Sequence, residues 1–195
     1  MALLRIEKKN GIATVYLNRP EKRNAMSFAL LQEVVAYAET SMSRRKFLLH
    51  YFGEEFDEFA GDGWDMDDNT RNPKTKVEAK DEVVKLLKVI QATKQTYKSK
   101  EIIYTLVGKI NSVIKSYKTD LHELFGSGKD HDDRYWMALI RQVMVSGMIS
   151  KDIETYGVLK VTEKGNDFIN NSYSFMMTED HEYSDAIDES VIANA

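Results

Sequence analysis

The chain has 195 residues, a net charge of −4, 43% hydrophobic residues and no cysteine. This length suits one ordinary domain or two small ones, and the lack of cysteine excludes a disulfide framework and any thiolate zinc site. No apolar run approaches the ~20 residues of a membrane-spanning helix, and the start of the chain lacks the apolar region of a secretory signal.

The net charge is the sum of unlike blocks. Residues 54–68 contain eight acidic residues and no basic one, and residues 170–195 contain six acidic residues and no basic one. Residues 74–118 contain eleven lysines against four acidic residues, a local net charge of +7. The overall acidity therefore does not exclude nucleic acid as a partner, because the basic block can face an anionic polymer by itself.

The first predicted elements are two short strands, residues 3–9 and 12–18, in which apolar and polar residues alternate. Asn10-Gly11 joins them, and this pair is the strongest short signal for a hairpin turn. From about Ser27, which suits an N-cap, the pattern changes to the period of a helix.

The rest of the chain has helical patterns followed by two strands. Helices are predicted over residues 43–53, 77–94, 99–107, 110–118 and 132–146, and strands over residues 148–153 and 157–162. Residues 54–73 lack periodicity and indicate an acidic loop. Three helices and a two-stranded ribbon within residues 79–169 follow the order of a winged helix.

These patterns predict a mainly α fold with small β elements, of the α+β class. A short β-hairpin preceding the other modules occupies residues 1–30, a helical knuckle residues 31–76, and a winged helix residues 77–169. Residues 170–195 are polar, which is typical of a linker or tail. We expect a monomer that does not contact membranes.

Recognisable catalytic and metal-binding motifs are missing from the sequence. The segment FGSGKD at residues 125–130 is too short in spacing for a nucleotide-binding G-x-x-x-x-G-K-[ST] loop. The four histidines are isolated in sequence, and the acidic loop does not follow the spacing of a calcium-binding loop. We therefore expect no catalytic residue and no bound metal.

The lysine-rich block has two interpretations, a solvated helix face or a surface that contacts phosphates. Two features favour the phosphate-contacting surface. Basic residues lie at both ends of the helix that precedes the predicted recognition helix, and a lysine lies in the Gly-flanked turn just before the recognition helix. An aromatic residue at the wing tip can stack on a base. The candidates are Lys98, Lys100, Lys109, Lys129, Arg134 and Tyr156.

Two longer segments resemble RecQ DNA helicases. EVVAYAETSMSRRKFLLHYFGE, residues 33–54, is similar to the segment that opens the RecQ zinc-binding subdomain. ELFGSGKDHDDRYWMALIRQVMVSGMISKDIETYGVLKVTEKG, residues 123–165, is similar to the C-terminal winged helix of the family, known as RQC. The resemblance spans about residues 31–180, and the two motifs occur in the family's order.

The resemblance implies a DNA-binding piece that engages duplex or forked DNA at a junction between single and double strands, with the wing helping to part the strands. It adds Ser127 as a phosphate contact, and Tyr156 as the strand separator. Arg44 and Arg45 contact the DNA backbone or, as an equal alternative, pair with the acidic loop. The family's ATPase motor would be a separate partner, and the setting would be DNA repair, recombination or replication in a bacterial cytoplasm, associated with the nucleoid.

The family's zinc ligands do not occur in this sequence. The RecQ spacing of four cysteines falls on Ser43, Ala60, Gly63 and Met66. The resemblance therefore implies the fold of the zinc subdomain and predicts no zinc and no other cofactor. Met66 and Trp64 are expected to replace the ion with a small apolar cluster.

The N-terminal segment LRIEKKNGIATVYLNRPEKRNAMSFALL resembles the start of the crotonase (enoyl-CoA hydratase) family. The charged, helical residues 37–54 replace the buried strand that a crotonase needs, so we interpret residues 1–30 as a remnant or fusion segment. Two alternatives to DNA binding stay open. One is a protein-interaction winged helix, and the weaker one is an acyl-CoA-binding, crotonase-like protein.

Overall fold

The computed structural model describes residues 4–9, 12–17, 28–152 and 157–180, with side chains from residue 34 onwards. The chain divides into two compact units at residues 39 and 40, and each is described by itself. No helix among these described residues is long and apolar enough to cross a membrane.

The first unit contains the predicted hairpin and the first helix. Strands β1 (Leu4–Lys9) and β2 (Ile12–Leu17) pair antiparallel, with Leu4 opposite Leu17 and Lys9 opposite Ile12. Helix α1 spans Phe28–Glu39. The Asn10-Gly11 turn and the Ser27 cap lie outside the described residues.

The second unit begins with the helical knuckle. Helix α2 (Arg44–Tyr51) starts at Ser43, whose hydroxyl accepts a hydrogen bond from the Lys46 backbone N–H. The acidic loop ends in a short helix, α3 (Asp68–Arg71), where the sequence indicated only a loop. One turn is too short to show a periodic pattern, and it forms because the Asp67 carboxylate accepts a hydrogen bond from the Thr70 backbone N–H.

The winged helix forms the larger core. Helices α4 (Lys80–Ala92), α5 (Ser99–Val107), α6 (Ser112–Ser116) and α7 (Asp133–Val145) agree in order with the predicted helices. A 3₁₀ turn at Thr119–Leu121 follows α6. The side chains that the core buries completely include Leu86, Leu87, Ile102, Leu106, Trp136 and Leu139. The predicted mainly α fold with small β elements is confirmed.

The wing consists of strands β4 (Ile149–Asp152) and β5 (Val158–Val161), paired antiparallel. The backbone N–H of Leu159 donates to the Tyr97 carbonyl at 2.9 Å, which joins the wing to the segment before α5. The wing tip, including Tyr156, lies outside the described residues.

Two elements at the end of the unit differ from the sequence interpretation. Helix α8 (Glu163–Asn170) follows the wing, at residues for which the sequence predicted no helix. Strand β6 (Met176–Thr178) pairs with strand β3 (Lys76–Glu78), although the sequence indicated a polar tail from residue 170. The Gln142 side chain secures β6 because its amide group donates to the Thr178 carbonyl at 2.6 Å and accepts from the Thr178 N–H at 3.0 Å.

Candidate nucleic-acid interface

The glycine-rich turn before α7 is fixed to the end of α5. The Gly126 N–H donates to the Thr105 carbonyl and the Gly128 N–H donates to the Leu106 carbonyl, both at 2.8 Å. Carbonyls in the last turn of a helix lack partners within the helix, and these two N–H groups satisfy them. The turn therefore has a fixed position relative to both helices.

Trp136 holds the same turn from the other side. Its indole N–H donates to the Gly128 carbonyl at 2.8 Å, and the side chain is fully buried. A Cβ atom added at Gly128 would lie 2.4 Å from the Trp136 ring, a separation that real Cβ atoms do not reach. The close approach of backbone to ring therefore requires glycine at this position.

The fixed turn presents two of the predicted contact residues at the start of α7. Lys129 and Arg134 are exposed, and within the part of the chain that the structure describes neither forms an ion pair. Asp132 caps the helix by accepting the Tyr135 N–H at 2.9 Å. Backbone N–H groups and basic side chains at a helix start are the usual components of a phosphate contact.

Three other predicted lysines lie on or beside α5. Lys98 immediately precedes the helix and forms a β-bridge with Val158 of the wing. The Lys100 ammonium lies 5.5 Å from the centre of the Tyr104 ring. Lys109 binds both carboxylate oxygens of Asp133, at 2.7 and 2.8 Å.

Hydrogen bonding to Asp133 raises the pKa of Lys109 above its ordinary value, and the negative charge of Asp133 acts in the same direction. Lys109 is therefore charged but already paired, so it is less available to a phosphate than Lys129 or Arg134. The Asp133 carboxylate at the start of α7 pairs with the Lys109 ammonium, and loss of that carboxylate would make Lys109 available to a phosphate.

Ser127 differs from the other candidates because its hydroxyl oxygen is buried. It has no hydrogen-bond partner among the described residues. A phosphate contact from this side chain requires the turn to rearrange, whereas the exposed side chain of Lys129 reaches solvent directly.

Arg44 and Arg45 face the acidic loop and its surroundings. The Arg44 guanidinium forms a two-pronged bond to Asp68, at 2.6 and 3.0 Å. The Arg45 guanidinium lies 5.3 Å from the centre of the Phe56 ring. These contacts favour the pairing alternative for Arg44, and they keep Arg45 stacked against the loop.

The four positions that correspond to zinc ligands do not fit the metal. Ala60 and Gly63 have no donor atom, and the Ser43 hydroxyl donates to Asp67 at 2.9 Å. The Met66 sulfur lies 4.0 Å from an Arg45 nitrogen, whose positive charge would repel a metal cation. Within the described ranges, no group of three or more His, Asp or Glu side chains is placed to hold a metal ion.

The expected apolar cluster of Met66 and Trp64 is wrong. Met66 is 63% exposed and Trp64 is 42% exposed, so neither side chain is buried in a core. Arg45 occupies the space beside Met66 instead, and a Cβ atom at Gly63 would lie 2.3 Å from an Arg45 nitrogen. The predicted apolar packing is therefore replaced by a cation–π contact between the Arg45 guanidinium and the Phe56 ring.

A network of hydrogen bonds holds the two ends of the knuckle together. The Asp67 carboxylate accepts from the hydroxyls of Ser43 and Thr70, both at 2.9 Å. The Asn69 amide donates to the carbonyls of Thr40 and Met42 at 2.7 and 2.8 Å. Sequence reasoning missed Asp67 and Asn69 as organising residues, although D-D-N-T carries the signal of a helix cap.

The hydrogen bonds also act on the ionisation of Asp67. Partial burial raises the pKa of this carboxyl, but the bonds from Thr70 and Ser43 outweigh burial and lower the pKa below its ordinary value. The network is therefore built around a charged carboxylate.

Comparison with known protein families gives two matches. The sequence matches the family model of the RQC domain over residues 73–186, which is more than half of the chain. It matches the model described as RecQ zinc-binding over residues 4–63. The chain belongs to the RecQ family. The second match begins at residue 4, and so includes the whole segment that resembles a crotonase.

Two RecQ relatives carry the name ATP-dependent DNA helicase RecQ. The protein of Pasteurella multocida is 27% identical over 76% of this chain and 23% of its own length. The protein of Haemophilus influenzae is 26% identical over 76% of this chain and 24% of its own length. The chain therefore spans about a quarter of the length of these RecQ relatives.

The first prediction concerns metal. The knuckle of this RecQ-family chain is held by hydrogen bonds, so removing metal with EDTA should leave its thermal unfolding temperature unchanged. Elemental analysis of protein purified with added zinc should give far less than one zinc per chain. A stoichiometric zinc content, or a clear drop in unfolding temperature with EDTA, would contradict the assignment.

The second prediction concerns Asp67. Its lowered folded-state pKa means that its stabilising effect is present above the unfolded-state pKa of about 4 and is lost as the pH falls through the folded-state value. Asp67→Ala should destabilise the knuckle by about 1 kcal/mol at pH 7. The deficit should shrink below pH 4, as measured by amide hydrogen exchange of residues 67–72.

The matched control is Asp65→Ala. Asp65 is exposed, and its backbone carbonyl, not its carboxylate, accepts a hydrogen bond from the Arg71 side chain at 3.0 Å. Its replacement should change stability by less than about 0.5 kcal/mol. Equal effects of the two substitutions, or a deficit for Asp67→Ala that does not depend on pH, would exclude the charged network.

Proposed function

We propose that this chain is a non-catalytic DNA-binding piece of a RecQ-like helicase, and that its winged helix engages duplex DNA at a single-strand/double-strand junction. The observation that carries the proposal is the pair of exposed cations, Lys129 in the turn that Trp136 fixes and Arg134 in the first turn of α7. Protein groups that are already held in place lose little conformational entropy when they bind a phosphate.

The contacts are proposed to divide into two groups. Lys129 and Arg134 bind phosphates at the start of α7, and Lys98 and Lys100 bind phosphates at the start of α5. Such contacts position a protein on DNA without reading its sequence. The preference for a junction comes from the wing, where Tyr156 is the proposed strand separator.

Local acidic residues limit this interface. Asp130, Asp132 and Asp133 lie at the same end of α7 as the basic residues. Asp132 is engaged as the helix cap and Asp133 binds Lys109, so two of the three negative charges are partly compensated. This balance predicts weak, salt-sensitive binding rather than tight recognition.

The motor that drives strand separation is proposed to be supplied by other domains. The relatives named as ATP-dependent helicases are about four times as long as the matched region. The chain contributes duplex engagement as a monomer, and ATP hydrolysis belongs to its partner domains.

The third prediction tests the contact residues. Lys129→Ala with Arg134→Ala should weaken binding to a forked duplex, and should reduce the slope of log K against log salt by about 1.8, since each lost phosphate contact removes about 0.9. Fluorescence anisotropy between 50 and 300 mM salt measures both quantities.

The control for charge alone is Lys85→Ala with Lys88→Ala on α4, outside the proposed interface. This pair removes the same charge and should leave the slope nearly unchanged. Equal losses from both double variants would mean that the lysine-rich surface attracts DNA only through its overall charge.

The fourth prediction is a gain of binding. Asp133→Asn removes the carboxylate that neutralises Lys109, so Lys109 becomes available to a phosphate and one negative charge disappears from the interface. Affinity for forked DNA should rise several-fold, with a salt slope steeper by about 0.9. Isothermal titration or anisotropy at several salt concentrations measures the change.

Asp81→Asn is the matched control because Asp81 pairs weakly with Lys80, at 3.8 Å, at the start of a different helix. This variant should bind DNA almost as the unmodified chain does. A gain of the same size from both variants would show that net charge, and not the release of Lys109, determines affinity.

A further inference from the structure

A second surface of the winged helix contains a cavity of about 330 Å³. It lies between the end of α4, the segment before α5, and the segment after α6. Its volume is at the lower end of the range for small-molecule sites, about 300–1,000 Å³, and so suits one nucleotide rather than a peptide helix or a duplex. The lining residues that matter are Lys94, Thr96, Tyr97, Tyr117, Lys118 and His122.

An exposed aromatic ring forms one wall of this cavity. Tyr117 is 69% exposed, and its ring meets the buried Tyr97 ring edge to face, with centroids 5.9 Å apart. The Tyr97 hydroxyl is in turn hydrogen-bonded to Thr119. Tyr117 is thus supported from below while most of its surface is available, which is the arrangement on which an unpaired base stacks.

The cavity is also basic. Lys94 and Lys118 are exposed, and neither has an ion pair within the described part of the chain. The adjacent carboxylate, Asp120, is bound to Lys115 at 2.7 Å and so is partly neutralised. The His122 Nδ1 accepts the Leu124 N–H at 3.1 Å, which leaves Nε2 as the ring nitrogen able to donate.

The rim of the cavity is joined to the base of the wing. Gln95, which directly follows Lys94, accepts the Val161 N–H at 2.9 Å through its side chain. Its carbonyl accepts the Lys160 ammonium, also at 2.9 Å. These two contacts place the cavity beside the base of the wing.

We propose that the cavity holds one unpaired nucleotide of a DNA strand at the junction, with its base stacked on Tyr117 and its phosphate between Lys94 and Lys118. This inference rests on the proposed function, because the wing must first bring a junction to this side of the domain. It adds to that function a site that distinguishes single-stranded from double-stranded DNA.

A fluorescent base at the junction tests the site. The full chain is titrated onto a forked duplex with 2-aminopurine at the first unpaired position. Stacking on Tyr117 should quench this fluorophore, and Tyr117→Ala should abolish the quenching while weakening fork binding about tenfold. Binding to a blunt duplex should be unchanged, and Tyr117→Phe, which keeps the ring, should behave as the unmodified chain.

Tyr173→Ala is the matched control for the aromatic ring. Tyr173 is 54% exposed and meets Phe168 edge to face at 4.8 Å, but it does not line the cavity. Its replacement should leave quenching and fork affinity intact. Equal effects of Tyr117→Ala and Tyr173→Ala would overturn the site.

The two lysines are tested through salt dependence. Lys94→Gln with Lys118→Gln should reduce the slope for single-stranded DNA by about 0.7 if one phosphate contact is lost and by about 1.4 if two are lost. The blunt duplex should show no change, and Lys85→Gln with Lys88→Gln serves as the charge control.

The outcomes separate this inference from the function on which it rests. If the unmodified chain binds no DNA, both are overturned. If it binds forked DNA but Tyr117→Ala retains the quenching, only the nucleotide site is overturned. If the Tyr117 and lysine variants weaken blunt duplex as much as the fork, the cavity does not discriminate between strands and the proposal is wrong.

Discussion

The contact between Trp136 and Gly128 is the constraint on which the end of the winged helix that carries Lys129 and Arg134 depends. A buried indole N–H bonded to the Gly128 carbonyl, with no room for a Cβ atom, fixes the turn between α5 and α7. The positions of Lys129 and Arg134 follow from that turn. The buried indole N–H would be costly to leave without a hydrogen-bond partner, so the packing of Trp136 in the core determines where the Gly128 carbonyl lies. The position of the exposed turn thus depends on the core.

The two ends of the knuckle are held together by hydrogen bonds in place of zinc. Zinc joins distant segments by bonds to four side chains, whereas here Asp67 joins α2 and α3 through the hydroxyls of Ser43 and Thr70. Asn69 adds two bonds to backbone carbonyls. Hydrogen bonds contribute less individually than a structural metal, so we expect a softer module that still places residues 40–72 against the winged helix.

Local patterns predicted the elements that depend on local interactions. Helix α5 was predicted at its observed bounds because its apolar period is regular and Gly108 ends it in a left-handed conformation. The β3–β6 pair was missed because its three-residue strands lie about a hundred residues apart and only tertiary packing brings them together. For the same reason the sequence left Arg44 undecided between DNA and Asp68, a partner 24 residues away.

The most direct test of DNA binding by the winged helix is a ¹⁵N–¹H correlation spectrum of the chain titrated with a forked duplex. If the proposed contacts form, the largest shift changes occur at residues 98–100, at the start of α5, and at residues 129–134, around the start of α7. The acidic residues 54–68 should show small changes. Changes confined to the acidic loop, or none at low salt, would contradict the claim that the basic residues at the starts of α5 and α7 bind DNA.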